Sequence, residues 1–149
     1  KYDAPLVQKL YDKYKGSGLE VIAVGEYDPV AAMKTHLEEF KITFPAVYES
    51  ELRTTRETTT HATQRRETGD TRKWGSPWYI FLEPSTIEKT GDVLTKKANI
   101  VNGELIRDEA EKFIRQKLGL PAEEAKAANN KKEIEACEGE KKAVEFKKP

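Results

Sequence analysis

Leu19-Glu20-Val21-Ile22-Ala23-Val24-Gly25 is a nearly unbroken apolar run rich in β-branched residues. That is the pattern of a strand covered on both faces, as in a parallel sheet. Parallel strands need crossover connections, usually helical, and helical patterns flank this run. Before it, Leu6, Val7, Leu10 and Tyr14 recur at i, i+3/i+4 spacing and predict a helix over 3–15. Pro5 suits the start of that helix, where its missing N–H costs little, and Gly16-Ser17-Gly18 ends it. After the run, Asp28 as N-cap and Pro29 at the first helical position open a second helix carrying Val30, Met33, Leu37 and Phe40. Phe44-Pro45-Ala46-Val47-Tyr48 is a second short strand. The order helix, strand, helix, strand predicts a layered α/β fold with parallel pairing.

Residues 50–73 change character: they hold eight threonines and several arginines, with little apolar beyond Leu52 and Ala62. The stretch is expected to be a polar surface excursion, either loop or weak helix. Trp78-Tyr79-Ile80-Phe81-Leu82 is a strong strand, Thr90-Gly91-Asp92 a turn, and Val93-Leu94-Thr95-Lys96-Lys97 a candidate antiparallel partner. Leu105, Ala110, Phe113, Ile114 and Leu118 mark a last amphipathic helix closed by Gly119. Residues 1–120 therefore form one predicted domain. Residues 121–149 carry seven Lys against seven Glu and few large apolar side chains. Too poor in apolar residues to bury a core, they are expected to be a charged extension, partly helical or disordered.

Lys plus Arg and Asp plus Glu balance at 26 each, so nothing in the net charge favours nucleic acid or an anionic membrane surface. No apolar run reaches the ~18–20 residues that span a bilayer. The single cysteine, Cys137, offers neither an internal disulfide nor a cysteine metal cluster, and its acidic neighbours disfavour a thiolate. His36 has only Glu38 and Glu39 at ligand spacing and reads as a solvated helix histidine, and His61 has no partner pattern, so no metal is expected, nor any cofactor.

Several motifs in order resemble one family. Lys1-Tyr2-Asp3-Ala4-Pro5-Leu6, followed by Tyr14-Lys15-Gly16-Ser17-Gly18-Leu19-Glu20-Val21-Ile22-Ala23-Val24, resembles the segment after the CxxC motif of TlpA/ResA-like thiol–disulfide oxidoreductases. Those proteins are extracytoplasmic members of the thioredoxin-like superfamily. Phe44-Pro45-Ala46-Val47 resembles their "FPV" strand, and Gly75-Ser76-Pro77 the loop carrying their cis-proline. Gly91 and Asn102-Gly103-Glu104 sit where the family turns its last hairpin and enters its last helix. The resemblance spans roughly residues 1–119 and implies a three-layer thioredoxin-like sandwich. The family's CxxC and first central strand would lie ahead of Lys1, outside this sequence, and the 50–73 excursion is longer than the family's usual connection.

The resemblance implies roles for three residues. Asp3 matches the acid that the family keeps beside its cysteines, where it tunes thiol pKa. Read from its position alone, Asp3 is a first-turn helix acid favoured by the macrodipole. Ser76 and Pro77 match the loop that pairs with an extended substrate, and the Ser76–Pro77 bond is expected to be cis. Trp74, like Trp78, flanks this loop and either shapes a binding groove or packs against the excursion. Arg53, Arg56, Arg65, Arg66, Arg72 and Lys73 give the excursion local positive charge, fit for an acidic partner or simply solvated.

Two functions follow. One is a thiol–disulfide oxidoreductase with its thiols upstream of Lys1, acting on a protein thiol or disulfide in a periplasmic, membrane-anchored or organelle-lumen setting. The other is a non-catalytic thioredoxin-fold subunit of a larger assembly. A thioredoxin sheet lacking its first strand exposes a central hydrogen-bonding edge. The natural polypeptide is therefore expected to be longer, or another segment to fill the gap.

Overall fold

The structure, a computed structural model, describes residues 2–87 and 98–121. Helix α1, Ala4–Tyr14, begins just after Asp3 with Pro5 in its first turn, and its chain runs on through a 3-10 turn at Lys15–Ser17. Gly18, in the left-handed region at φ 101°, ends it. The periodic residues do what their spacing demands, since Leu10 and Tyr14 are buried against Ala110 and Ile114. Those two partners belong to the last helix, α4, Arg107–Lys117. Leu6, Leu19, Phe81, Leu105 and Leu118 close over this cluster. The Tyr14 hydroxyl also donates to Glu111 at 2.7 Å.

Strand β1 is only Ala23–Gly25 and pairs in parallel with β2, Ala46–Tyr48, with Ala23 opposite Ala46 and Gly25 opposite Tyr48. Helix α2, Val30–Glu39, connects them. Two expectations need correcting here. The run 19–25 is not covered on both faces, for Ile22 is 66 % and Val24 54 % exposed. Both side chains line an open cavity instead of packing against a covering element. Pro29, not Asp28, is the N-cap of α2, its backbone extended at ψ 145°. Asp28 instead holds Arg53 at 2.5 Å, and the Val30 N–H donates to Glu51.

Strand β3, Trp78–Phe81, pairs antiparallel with β4, Asn99–Asn102, in the register Trp78 to Asn102 through Phe81 to Asn99. The candidate partner strand 93–97 and its turn lie outside the described residues, and the strand seen beside β3 is 99–102. Among the described residues the sheet is thus two separate pairs, β1–β2 and β3–β4. The fold is mixed α/β. The charged extension lies outside the described residues but for Pro121.

Of the two alternatives for 50–73, loop or weak helix, the structure has the helical one, with most of the segment at the surface. It forms a 3-10 turn at Arg53–Thr58 and helix α3, Thr60–Glu67. Thr59 caps α3 by accepting the Ala62 N–H at 3.0 Å. Thr59, His61, Ala62, Arg65 and Asp70 are all buried.

Candidate functional site

A cavity of about 750 Å³ is lined by β1 and by the start of β3. Among the distant segments that line it are Tyr2, Asp3 and Ala4 at the start of α1, Gly25 and Glu26 at the end of β1, and Ser76-Pro77-Trp78 leading into β3. Asp3, Ser76 and Pro77 therefore meet at one place. Trp74 is not among the residues lining it.

Asp3 stands at the N-cap position of α1 but makes no side-chain cap. Its Oδ2 accepts the Tyr79 hydroxyl at 2.6 Å and the Leu105 N–H at 3.0 Å. The carboxylate thus ties α1 to β3 and to the entry of α4, a contact across 76 and 102 residues that no local pattern foretells. Burial first, and then the Asp3 carboxylate, push the Tyr79 phenol well above its usual range. Tyr79→Phe is expected to cost about 1–2 kcal/mol in urea unfolding, because a hydrogen bond to a charged group is lost. A cost near zero would show that Leu105 alone holds Asp3.

The Ser76–Pro77 peptide bond is cis, and the loop before it is gripped by the excursion. Arg72 donates to the backbone oxygens of Gly75 at 3.2 Å and Pro77 at 3.1 Å. Arg65 donates to the backbone oxygen of Arg72. Asp70 accepts from both guanidinium groups, Arg72 at 2.6 Å and Arg65 at 3.0 Å. Arg72 above all, with Arg65, holds the Asp70 carboxyl well below the usual carboxylate range against the opposing effect of burial. Gly75 lies in the left-handed region at φ 66°, and a Cβ there would overlap the Arg65 guanidinium.

Glu26 is the residue that sequence reasoning missed. One of its carboxyl oxygens, Oε2, is buried without a hydrogen-bond partner. Burial, then its hydrogen bond to Glu49 and the charge there, raise its pKa to about 8. Burial would push Glu49 up too, but the Thr60 and His61 N–H groups and Glu26 outweigh it and hold Glu49 low. Glu26 is therefore the proton carrier of the pair and donates to Glu49. The folded state keeps a proton that the unfolded chain releases above pH 4.5. Stability should fall as pH rises from about 4.5 to about 8. Glu26→Gln should flatten that part of a stability–pH curve measured by chemical denaturation; an unchanged slope would show that Glu26 ionises freely. The only trace in the sequence is an acid placed directly after an apolar strand.

His61 also finds a partner the sequence did not disclose. Its Nδ1 and the Tyr27 hydroxyl are hydrogen-bonded at 2.7 Å, and its ring packs 5.3 Å from Trp78. Burial, followed by the nearby Arg65, lowers its pKa. Tyr27 has a positive φ of 66°, which turns it toward the excursion. Trp74 lies against that excursion: Arg56 sits 4.9 Å, Lys73 5.5 Å and Arg53 5.9 Å from its ring centre, with Tyr27 at 6.0 Å. Among the described residues no group of His, Cys, Asp and Glu is placed to hold a metal ion. No described helix is long and apolar enough to cross a membrane.

No family model, curated protein or solved structure matches this chain. Its functional reading therefore rests on its residues and their geometry.

Proposed function

We propose that this chain is the larger part of a thioredoxin-like thiol–disulfide oxidoreductase of the TlpA/ResA-like kind, its two thiols borne by residues ahead of Lys1. The observation that carries this reading is the meeting of the α1 start, Glu26 and the Ser76-Pro77 loop around one cavity. A dithiol site needs a thiolate stabilised by a helix N-terminus, a second thiol to resolve the mixed disulfide, and an edge to hold substrate. The first turn of α1 opens on the cavity, and the Asp3 side chain does not cap it. Ser76 is exposed beside it, with backbone to pair with an extended substrate segment.

In the forward reaction the first thiolate attacks one sulfur of a substrate disulfide, and the other sulfur leaves as a thiolate. The second protein thiol, once deprotonated, attacks the mixed disulfide and releases the second substrate sulfur. The substrate gains two electrons, and the protein dithiol becomes a disulfide. Glu26, with a pKa of about 8, suits the transfer of the protons this exchange requires. By the same resemblance the setting is extracytoplasmic or an organelle lumen.

The test uses the natural polypeptide with the residues that precede Lys1. A CxxC pair there, insulin reduction in the presence of dithiothreitol, and a pH–rate profile displaced in Asp3→Asn are the expected results. Other residues in place of the cysteines, with no reductase activity, would sink it. A second reading, a non-catalytic assembly subunit, is favoured by the three cations gathered around Trp74, a surface suited to an acidic partner. Loss of partner binding in Arg56→Ala with unchanged redox behaviour would support that reading.

A further inference from the structure

We propose that Arg72 is a positioning residue for substrate: from the excursion it holds the backbone on either side of Ser76, so that Ser76 meets an extended substrate segment in one fixed geometry. What the loop docks rests on the oxidoreductase reading; how the loop is held rests on the geometry alone.

Both carbonyls that flank Ser76 are held. Nη2 of Arg72 donates to the Gly75 oxygen at 3.2 Å and to the Pro77 oxygen at 3.1 Å, and Ser76 between them is exposed. The guanidinium that does this is itself fixed at two points. Asp70 accepts from its Nε at 3.0 Å and from its Nη2 at 2.6 Å. The Asp70 side chain is buried, so water does not compete for it. Arg65 completes the bracket. It donates to Asp70 at 3.0 Å and to the Arg72 backbone oxygen. It also lies so close to Gly75 that a Cβ there would fall 1.7 Å from its Nε. Two guanidinium groups with one carboxylate between them therefore fix the chain from Arg72 to Pro77.

The clamp stands on a tied support. Arg65 belongs to α3, whose start is bonded to the β1–β2 pair. Glu49, directly after β2, accepts the His61 N–H at 3.1 Å, and the Tyr27 hydroxyl is bonded to His61 Nδ1 at 2.7 Å. A path of hydrogen bonds thus runs from the strands through the excursion to the loop. A docking group has to be held to within about 0.5 Å of its productive place, and a misplacement of about 1 Å costs on the order of 100-fold in rate. The excursion supplies that restraint, which gives its buried Arg65 and Asp70 a use beyond stability. Arginine is required here, not merely a cation. Its planar fork keeps Nε and Nη2 in fixed relation, so the carboxylate that anchors both aims Nη2 at the two carbonyls. A lysine has one ammonium on a flexible stem; it can pair with Asp70, but nothing then aims it at the loop.

Arg72→Lys in the natural polypeptide tests this, because it keeps a cation beside Asp70 and removes the fork. Two readouts are expected to move. The backbone order parameter of Ser76 should fall from about 0.85, that of rigid backbone, to below about 0.6, while α4 keeps its values. The second-order rate constant for reducing insulin, a protein substrate, should fall about 10- to 100-fold. That for hydroxyethyl disulfide, too small to dock along the loop, should stay at the wild-type value. Arg72→Ala should show the same split. An unchanged Ser76 order parameter, equal losses on the two disulfides, or an insulin rate that Lys restores and Ala does not would each overturn the proposal. The last result would mean that charge alone suffices. A wild-type protein that reduces neither disulfide refutes the oxidoreductase reading, and the order parameter then still decides whether Arg72 holds the loop.

Discussion

Asp70→Ala is expected to cost about 3–5 kcal/mol of folding stability, as removal of one member of a buried ion pair does. The Asp70 side chain is 2 % and that of Arg65 7 % exposed, so water cannot replace the lost carboxylate. Arg65 would be left as a buried charge, and Arg72 would lose its partner while still bonded to the loop around Pro77. Domains have only ~5–15 kcal/mol in hand, so the variant should be far closer to unfolding. Urea denaturation with a double-mutant cycle measures this. Adding Arg65→Met should recover part of the loss, since the stranded charge goes with it. Strictly additive costs would mean that the pair contributes nothing as a pair. Because the Asp70 carboxyl is held below its ordinary pKa, its contribution is present above the unfolded-state value and is lost as pH falls below it. The wild-type chain should therefore lose stability in acid more steeply than Asp70→Ala.

Gly75→Ala is expected to cost about 2–4 kcal/mol, the sum of a left-handed backbone penalty and overpacking. The φ of 66° would be strained for any side chain, and the new Cβ would collide with the Arg65 guanidinium. A surface arginine would swing away at little cost. Arg65 is instead buried and bonded to Asp70 and to the Arg72 backbone, so yielding to the Cβ breaks the network that grips the Ser76-Pro77 loop. In an Arg65→Ala background the overlap disappears, and the same substitution should cost only about 1–2 kcal/mol, the backbone penalty alone. Equal costs in both backgrounds would place the whole effect in the backbone.

These two residues show where the sequence stops being legible. The helices α1 and α4 could be read from Leu6, Leu10, Tyr14, Ala110 and Ile114, because helical packing repeats a local period and each residue meets its neighbours three or four places away. The polar stretch 50–73 could not be read this way. Hydropathy assigns Arg65, Asp70 and His61 to solvent, yet each is buried because a specific partner compensates it. Asp70 has partners two and five residues away, but His61 depends on Tyr27, 34 residues back. Glu26 owes its raised pKa first to burial and then to Glu49, neither of which its neighbours in sequence disclose.

The sequence by itself determined the elements with a clear local period or apolar run, the helices α1, α2 and α4 and the strands around Ala23–Gly25, Ala46–Tyr48 and Trp78–Phe81. Side-chain spacing and the special backbones of glycine and proline act within a few residues, so these properties survive without the fold. Tertiary structure decided the rest. Among the described residues it set the strands in two separate pairs, brought Asp3 to Tyr79 and to Pro77's cavity, and buried His61, Arg65 and Asp70 in an excursion whose other side chains are mostly exposed. Those outcomes depend on hydrogen bonds and ion pairs between residues far apart in the chain, whose energies exist only once the chain has brought them within about 3 Å.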